Sequence, residues 1–253
     1  MTRSMNPTIK TSPTAEEFIR IGVEMMASCI RSAIVDRKRC VLGFSGGNTP
    51  RPIYEALGKE KNIDWSNVWI FLVDDRYVRS DSPHSNQFLL RSTILKNAAI
   101  PESQVIVPDT TLPIDECIDL YDKHIADLVR RSPPDLVTLG MGDDGHIASL
   151  FPNSLSPSPS PVPLLRRGFG GQDGRGEDAN DEFVIHTTTD RFTIHDRISV
   201  TLPVLTKARQ ALFLLQGKEK KNVWDEMMAS AEGEGRWPAK AVLAACPTTV
   251  ITQ

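Results

Sequence analysis

The chain lacks what a membrane, an oxidising compartment or a polyanion would require. No apolar run approaches the roughly 20 residues of a bilayer-spanning helix. The first thirteen residues are polar with prolines and have no hydrophobic signal region. The four cysteines, Cys29, Cys40, Cys117 and Cys246, are widely spaced and form no CxxC pair, which argues against a disulfide framework or a zinc or redox motif and for reduced core residues. A formal net charge of -3 gives no global attraction to nucleic acid. Before the first strand there is one long helix with an ordinary charge mix, and neither a helix-turn-helix nor a basic patch is visible. The expectation is a cytoplasmic soluble monomer with no nucleic-acid or membrane partner, whose anionic ligand, if any, is held by a local cluster of donors.

At 253 residues and 40% apolar content the chain can bury a full core, and one α/β domain over residues 1–253 is expected. Thr14 and Glu17 make a capping box for an amphipathic helix carrying Phe18, Ile21, Met25 and Ile30. Apolar strands at Cys40 to Phe44, Val68 to Val73, Val105 to Val107 and Leu136 to Leu139 alternate with helices at Pro50 to Leu57, Asn86 to Leu95 and Ile114 to Val129, and a further helix is expected from His146. Strands at Ile198 to Leu202, Ala211 to Leu215 and Thr248 to Ile251, with a helix at Glu219 to Ala229, complete the pattern. Such alternation predicts a doubly wound, mostly parallel sheet, a Rossmann-like three-layer sandwich. Between 153 and 182, Ser-Pro alternation and a glycine-rich run cannot bury a core, so a disordered insertion is expected there.

Four segments behind strands carry chemistry. Gly140-Met141-Gly142-Asp143-Asp144-Gly145-His146 puts an imidazole and carboxylates at the carboxyl end of a buried strand, where open parallel sheets bind ligands. Imidazole is the side chain best matched to proton transfer near neutral pH, so His146 reads as a general base; the plainer reading is a solvated helix cap. Ser45-Gly46-Gly47-Asn48-Thr49-Pro50 combines two glycines with a helix start, a phosphate cradle in chemical terms, or else a tight turn capped by Thr49. The overlapping Gly43-Phe44-Ser45-Gly46-Gly47 also matches a G-x-S-x-G nucleophile elbow, but only one helix precedes it where that fold has several strands. Asp74-Asp75-Arg76 offers a guanidinium for a phosphate or for developing negative charge. Lys218, Lys220 and Lys221 oppose a helix dipole, which calls for a counter-anion or solvent, and solvent suits at least two of them.

Together with Ser85-Asn86, the stretch GMGDDGHIASLFP (140–152) and Arg197-Ile198-Ser199-Val200-Thr201-Leu202-Pro203, these segments resemble the glucosamine-6-phosphate isomerase/6-phosphogluconolactonase family, in order along nearly the whole chain. The resemblance implies hydrolysis of a 6-phosphoglucono-1,5-lactone to the open acid without cofactor or metal, in the oxidative pentose phosphate pathway. It further implies that His146 activates water, Asp144 orients the imidazole and Arg76 lies near the substrate. Ser45, Gly46, Gly47, Asn48, Thr49 and Lys220 would hold the phosphate, with Arg197 joining them. The family usually has Asp-Glu-Arg where this chain has Asp74-Asp75-Arg76, which puts the bracing of Arg76 in question. The related deaminases look like Asp-Glu-Tyr there and carry Ala-Phe-Asn-Glu-Pro where this chain has Ala148-Ser149-Leu150-Phe151-Pro152; the missing glutamate argues against deamination. A sugar-phosphate sensing module is the non-enzymatic alternative.

Overall fold

The computed structural model describes residues 6–152 and 182–253; apart from Glu182, the expected 153–182 insertion lies outside them. In chain order the elements are β1 (Thr8–Thr11), α1 (Ala15–Arg37), β2 (Cys40–Phe44), α2 (Arg51–Gly58), β3 (Val68–Leu72), β4 (Asp74–Arg76), α3 (Asn86–Ser92), α4 (Ile94–Asn97), β5 (Val105–Ile106), α5 (Ile114–Arg131), β6 (Leu136–Leu139), β7 (Val184–Thr188), β8 (Asp196–Val200), α6 (Leu202–Thr206), β9 (Ala211–Leu215), α7 (Lys218–Ala229), α8 (Ala239–Ala245) and β10 (Thr248–Thr252). Seven of the strands form one sheet in the order β1-β10-β9-β6-β2-β3-β5, every pair parallel.

β2 and β9 are buried at every position, as expected of strands covered on both faces. Alternate side chains serve opposite layers. Cys40, Leu42 and Phe44 pack with Phe18, Ile30 and Tyr54 of α1 and α2, while Val41 on the other face joins Tyr121 and Ile125 of α5 and Trp224 of α7. The result is the three-layer α/β fold expected from the sequence. Asp135 ties the layers at the amino ends of the strands. Its carboxylate, 1% exposed, accepts from Arg37 Nε and Nη2 at 3.1 and 2.8 Å and from the Val41 N–H at 2.8 Å, joining the end of α1 to β2 and β6. No helix among the described residues is long and apolar enough to cross a membrane.

Local differences from the sequence reading have physical causes. The Thr14 hydroxyl accepts from Glu17 N at 3.2 Å, but the Glu17 carboxylate turns to Arg20 at 2.9 and 2.7 Å, so only half of the capping box forms. Pro50 is the N-cap of α2, not its first residue, and Thr49 makes no side-chain cap. The single helix expected at Asn86 to Leu95 breaks at Thr93 (φ -121°, ψ -97°) into α3 and α4. The strand expected at Ile198 to Leu202 ends at Val200, and Leu202 opens α6.

No helix starts at His146. Ile147 and Leu150 instead pair as an isolated antiparallel bridge, and Ala148 takes φ 48°, a left-handed value that costs a non-glycine residue about 1 kcal/mol or more. Long-range bonds hold the turn open: Ser149 N donates to Ser199 Oγ at 3.2 Å, Ser149 Oγ to Asp74 Oδ2 at 2.8 Å, and Thr187 Oγ1 to Ser149 O at 2.9 Å. Those partners belong to a second, antiparallel sheet of order β4-β8-β7 that the sequence reading did not contain.

Candidate active site

Going from β2, the chain adds β3 and β5 on one side and β6, β9 and β10 on the other. The carboxyl ends of β2 and β6 therefore flank a topological switch point, where the loops part and leave a crevice. A cleft of about 420 Å³ opens there. Thr138 in β6 fastens the two strand ends: its hydroxyl donates to Gly43 O at 3.2 Å, accepts from Ser45 N at 3.1 Å and lies 2.7 Å from the Tyr54 hydroxyl. A larger groove, about 760 Å³, runs between α1 and the β1 edge, but its buried carboxylate, Asp135, is already taken by Arg37, Arg209 and the Val41 N–H.

On one wall stands His146. Its Nδ1 is 2.5 Å from Asp144 Oδ1, which also accepts the His146 backbone N–H at 3.1 Å. The side chains are 18% and 9% exposed, so the pair is sheltered but reached from the cleft. Gly142 allows this: a Cβ there would overlap His146 Nδ1 and stand 2.6 Å from Asp144 Oδ1. Burial works to raise the Asp144 carboxyl, but the hydrogen bonds and charge of His146, with the charge of Arg191, outweigh it and hold it at about 2. A carboxylate that stays ionised only accepts hydrogen bonds. In the neutral imidazole Nδ1 then carries the hydrogen, and Nε2 keeps the lone pair that takes a proton from water. Phe151 and Phe192 pack on the imidazole with ring centroids at 4.8 and 5.8 Å, an apolar surround that limits its movement.

A folded pKa below the unfolded one means that Asp144 stabilises the fold above about pH 4 and loses that contribution as the pH falls toward 2, a change of about 2 kcal/mol. Asp144→Asn is expected to flatten the fall of urea midpoints between pH 4 and 2.5. A variant that loses stability over this range as steeply as the parent protein rules the pairing out.

Arg76 reaches the cleft from β4. Nη1 donates to His84 O at 2.7 Å and lies 3.5 Å from Asn86 Oδ1, while Nε is buried without a hydrogen-bond partner. The half-buried guanidinium lines the cleft and is suited to an anionic guest there. The neighbouring Asp75 braces the backbone around Arg76, not the guanidinium: it is 0% exposed and accepts from the N–H groups of Arg76, Asn86 and Gln87 at 2.7, 2.7 and 3.2 Å and from Ser85 Oγ at 3.1 Å. Asp74 and Asn86 also line the cleft, linked by Asn86 Nδ2 donating to Asp74 O at 2.8 Å; both lie in segments quoted from the sequence, which gave neither a role of its own.

Ser45, Gly46, Gly47 and Lys220 also line the cleft. Gly46 passes so close to Asn86 that a Cβ would overlap its amide. Lys220, the third residue of α7, donates to Met141 O and so touches the loop that carries His146. Lys221 instead pairs with Asp225, and Lys218 is exposed, which leaves Lys220 as the one of the three in the cleft. Asn48 is exposed and Thr49 half-buried, and neither lines the cleft. Arg197 is 7% exposed, pairs in register with Arg76, donates Nε to Ile194 O at 3.0 Å and lies 5.4 Å over Phe192, behind the cleft wall. Burial and the charge of Arg76 push its pKa down. Among the described residues no group of three or more His, Cys, Asp or Glu side chains is placed to hold a metal ion.

The chain is similar to known proteins along almost its whole described length. A protein of Dictyostelium discoideum named probable 6-phosphogluconolactonase is 40% identical over 238 residues, 93% of each chain. The solved 6-phosphogluconolactonase from Plasmodium vivax superposes with TM-score 0.85 at 28% identity, covering 100% of this chain and 92% of that one. That from Thermotoga maritima gives 0.78 at 25% identity, covering 98% and 100%. The family model described as glucosamine-6-phosphate isomerases/6-phosphogluconolactonase matches residues 13–251, and the chain belongs to that family.

Proposed function

We propose that the protein is a carboxylic ester hydrolase that opens 6-phospho-D-glucono-1,5-lactone to 6-phospho-D-gluconate, the hydrolytic step of the oxidative pentose phosphate pathway. The observation that carries this reading is the 2.5 Å contact between His146 Nδ1 and Asp144 at the cleft, because it selects the tautomer able to deprotonate water. His146 Nε2 takes a proton from water, and the hydroxide attacks the lactone C1. A δ-lactone is an activated ester, so a neutral imidazole is base enough to activate the attacking water. The C1 oxyanion is met by the Arg76 guanidinium, which lines the cleft. On collapse, the C1–O5 bond breaks and the imidazolium returns its proton to O5, leaving the open acid. Lys220 and the backbone of the Ser45 to Gly47 turn hold the 6-phosphate, with Arg197 adding positive potential from behind; Asn48 and Thr49 shape that turn.

The test is a substrate panel. Freshly generated 6-phosphogluconolactone is expected to give acid release well above its spontaneous opening, the unphosphorylated lactone far less, and glucosamine-6-phosphate no ammonia. Turnover of glucosamine-6-phosphate with no lactone hydrolysis replaces this reading by the deaminase one. Binding of 6-phosphogluconate without turnover of either substrate replaces it by a sensing role.

A further inference from the structure

The turn that carries His146 is clamped from behind by residues that no motif marks. Within the turn, Gly142 N donates to His146 O at 2.9 Å and Gly145 N to Gly142 O at 3.1 Å. Of the peptide between Asp144 and Gly145 those bonds hold the N–H and leave the Asp144 carbonyl without a partner inside the turn. The segment between α7 and α8 takes hold of that peptide. Arg236 Nη1 donates to Asp144 O at 2.7 Å, and the guanidinium lies 3.7 Å over the ring of Trp237, itself 1% exposed. Gly145 sits at φ 90°, and a Cβ on it would stand 2.5 Å from Trp237 Cζ3 and 3.0 Å from Arg236 Nη1, so indole and guanidinium pack directly on the backbone.

The clamp is itself anchored. Arg236 N and Trp237 N both donate to Gly233 O, at 3.2 and 2.9 Å. Lys240 Nζ donates to Ser230 O and Glu232 O at 2.5 and 2.7 Å. Glu226 Oε1 lies 3.9 Å from Arg236 Nη2. A stacked guanidinium loses little freedom on bonding, and its charge strengthens the bond to a carbonyl.

We propose that Arg236 is a positioning residue for the Asp144–His146 pair: it fixes the Asp144 carbonyl, and through that backbone the carboxylate that holds the imidazole. This rests on the reading of His146 as the general base. A catalytic group displaced by about 1 Å loses up to ~100-fold in rate, and Arg236 is the side chain placed to prevent such a shift.

Three proteins are compared: wild type, Arg236→Met, which keeps an apolar stem against Trp237 but removes the donor, and Arg236→Lys, which retains one. Each is measured for kcat on 6-phosphogluconolactone, Kd for 6-phosphogluconate by calorimetry, melting temperature, and the 15N shifts of the His146 imidazole. Arg236→Met is expected to lower kcat roughly tenfold and move the imidazole shifts, with Kd within about twofold of wild type; Arg236→Lys is expected to recover most of the rate. Wild-type kcat and unmoved shifts in Arg236→Met overturn the proposal. So does a parallel loss of kcat, affinity and melting temperature that Arg236→Lys does not relieve. If the wild-type protein does not hydrolyse the lactone, the hydrolase reading fails, and the imidazole shifts alone decide whether Arg236 braces the pair.

Discussion

Replacing His146 by alanine is expected to lower kcat for lactone hydrolysis by roughly 10²–10⁴-fold, the range that a positioned proton acceptor contributes, while the Kd for 6-phosphogluconate changes little. The split follows from the layout of the cleft. The imidazole and its Asp144 partner stand on the loop after β6, whereas Lys220 belongs to α7 and Ser45 to Gly47 to the turn after β2. Removing the ring takes away the base and leaves the phosphate contacts in place. Calorimetry on the same preparation separates the two effects, and a variant that loses affinity as steeply as rate shows that His146 serves binding instead.

Lys220→Ala is expected to act the other way, weakening phosphate binding by roughly 1.5–3 kcal/mol, the worth of a hydrogen bond to a charged group, with a smaller effect on kcat under saturation. Lysine at the third position of α7 faces the helix's positive end, so an anion there relieves a repulsion as well as gaining a bond. Lys220 also donates to Met141 O. Inhibition by 6-phosphogluconate and by inorganic phosphate is the readout, and unchanged inhibition by both excludes Lys220 from the phosphate site. The effect is expected to shrink at high salt, because the cleft is open to solvent and the phosphate contact is partly screened.

The inner strands of the parallel sheet were legible because they are buried on both faces and read as unbroken apolar runs, as in Cys40 to Phe44 and Ala211 to Leu215, whereas the edge strand β1, exposed at all four positions, was not read. The misfit of Lys218, Lys220 and Lys221 with the helix dipole was legible locally, but only the family resemblance pointed to Lys220 among the three, the one that lines the cleft. The turn after Phe44 was legible only in part: the two glycines mark a close approach, but nothing local says that Asn48 turns to solvent while Ser45 stays buried.

What escaped the sequence reading depends on distant partners. β4 consists of Asp74, Asp75 and Arg76, a strand by composition only because β8 pairs with it. The helix expected from His146 is displaced by a left-handed Ala148 and by bonds from Ser149 to Asp74 and Ser199. Arg236 meets its carbonyl across 92 residues, a contact without periodicity or motif. Asp75 shows the opposite lesson: its carboxylate, shorter than the usual glutamate, reaches the backbone N–H groups of Arg76, Asn86 and Gln87, so the guanidinium is placed through the main chain.

The most direct measurement mixes freshly generated 6-phosphogluconolactone with stoichiometric protein and follows acid release with a pH indicator, for wild type and His146→Ala side by side. The account predicts a wild-type rate far above spontaneous lactone opening and a variant close to the spontaneous rate. Equal, fast release by both proteins would contradict it, because hydrolysis would then proceed without the imidazole as base.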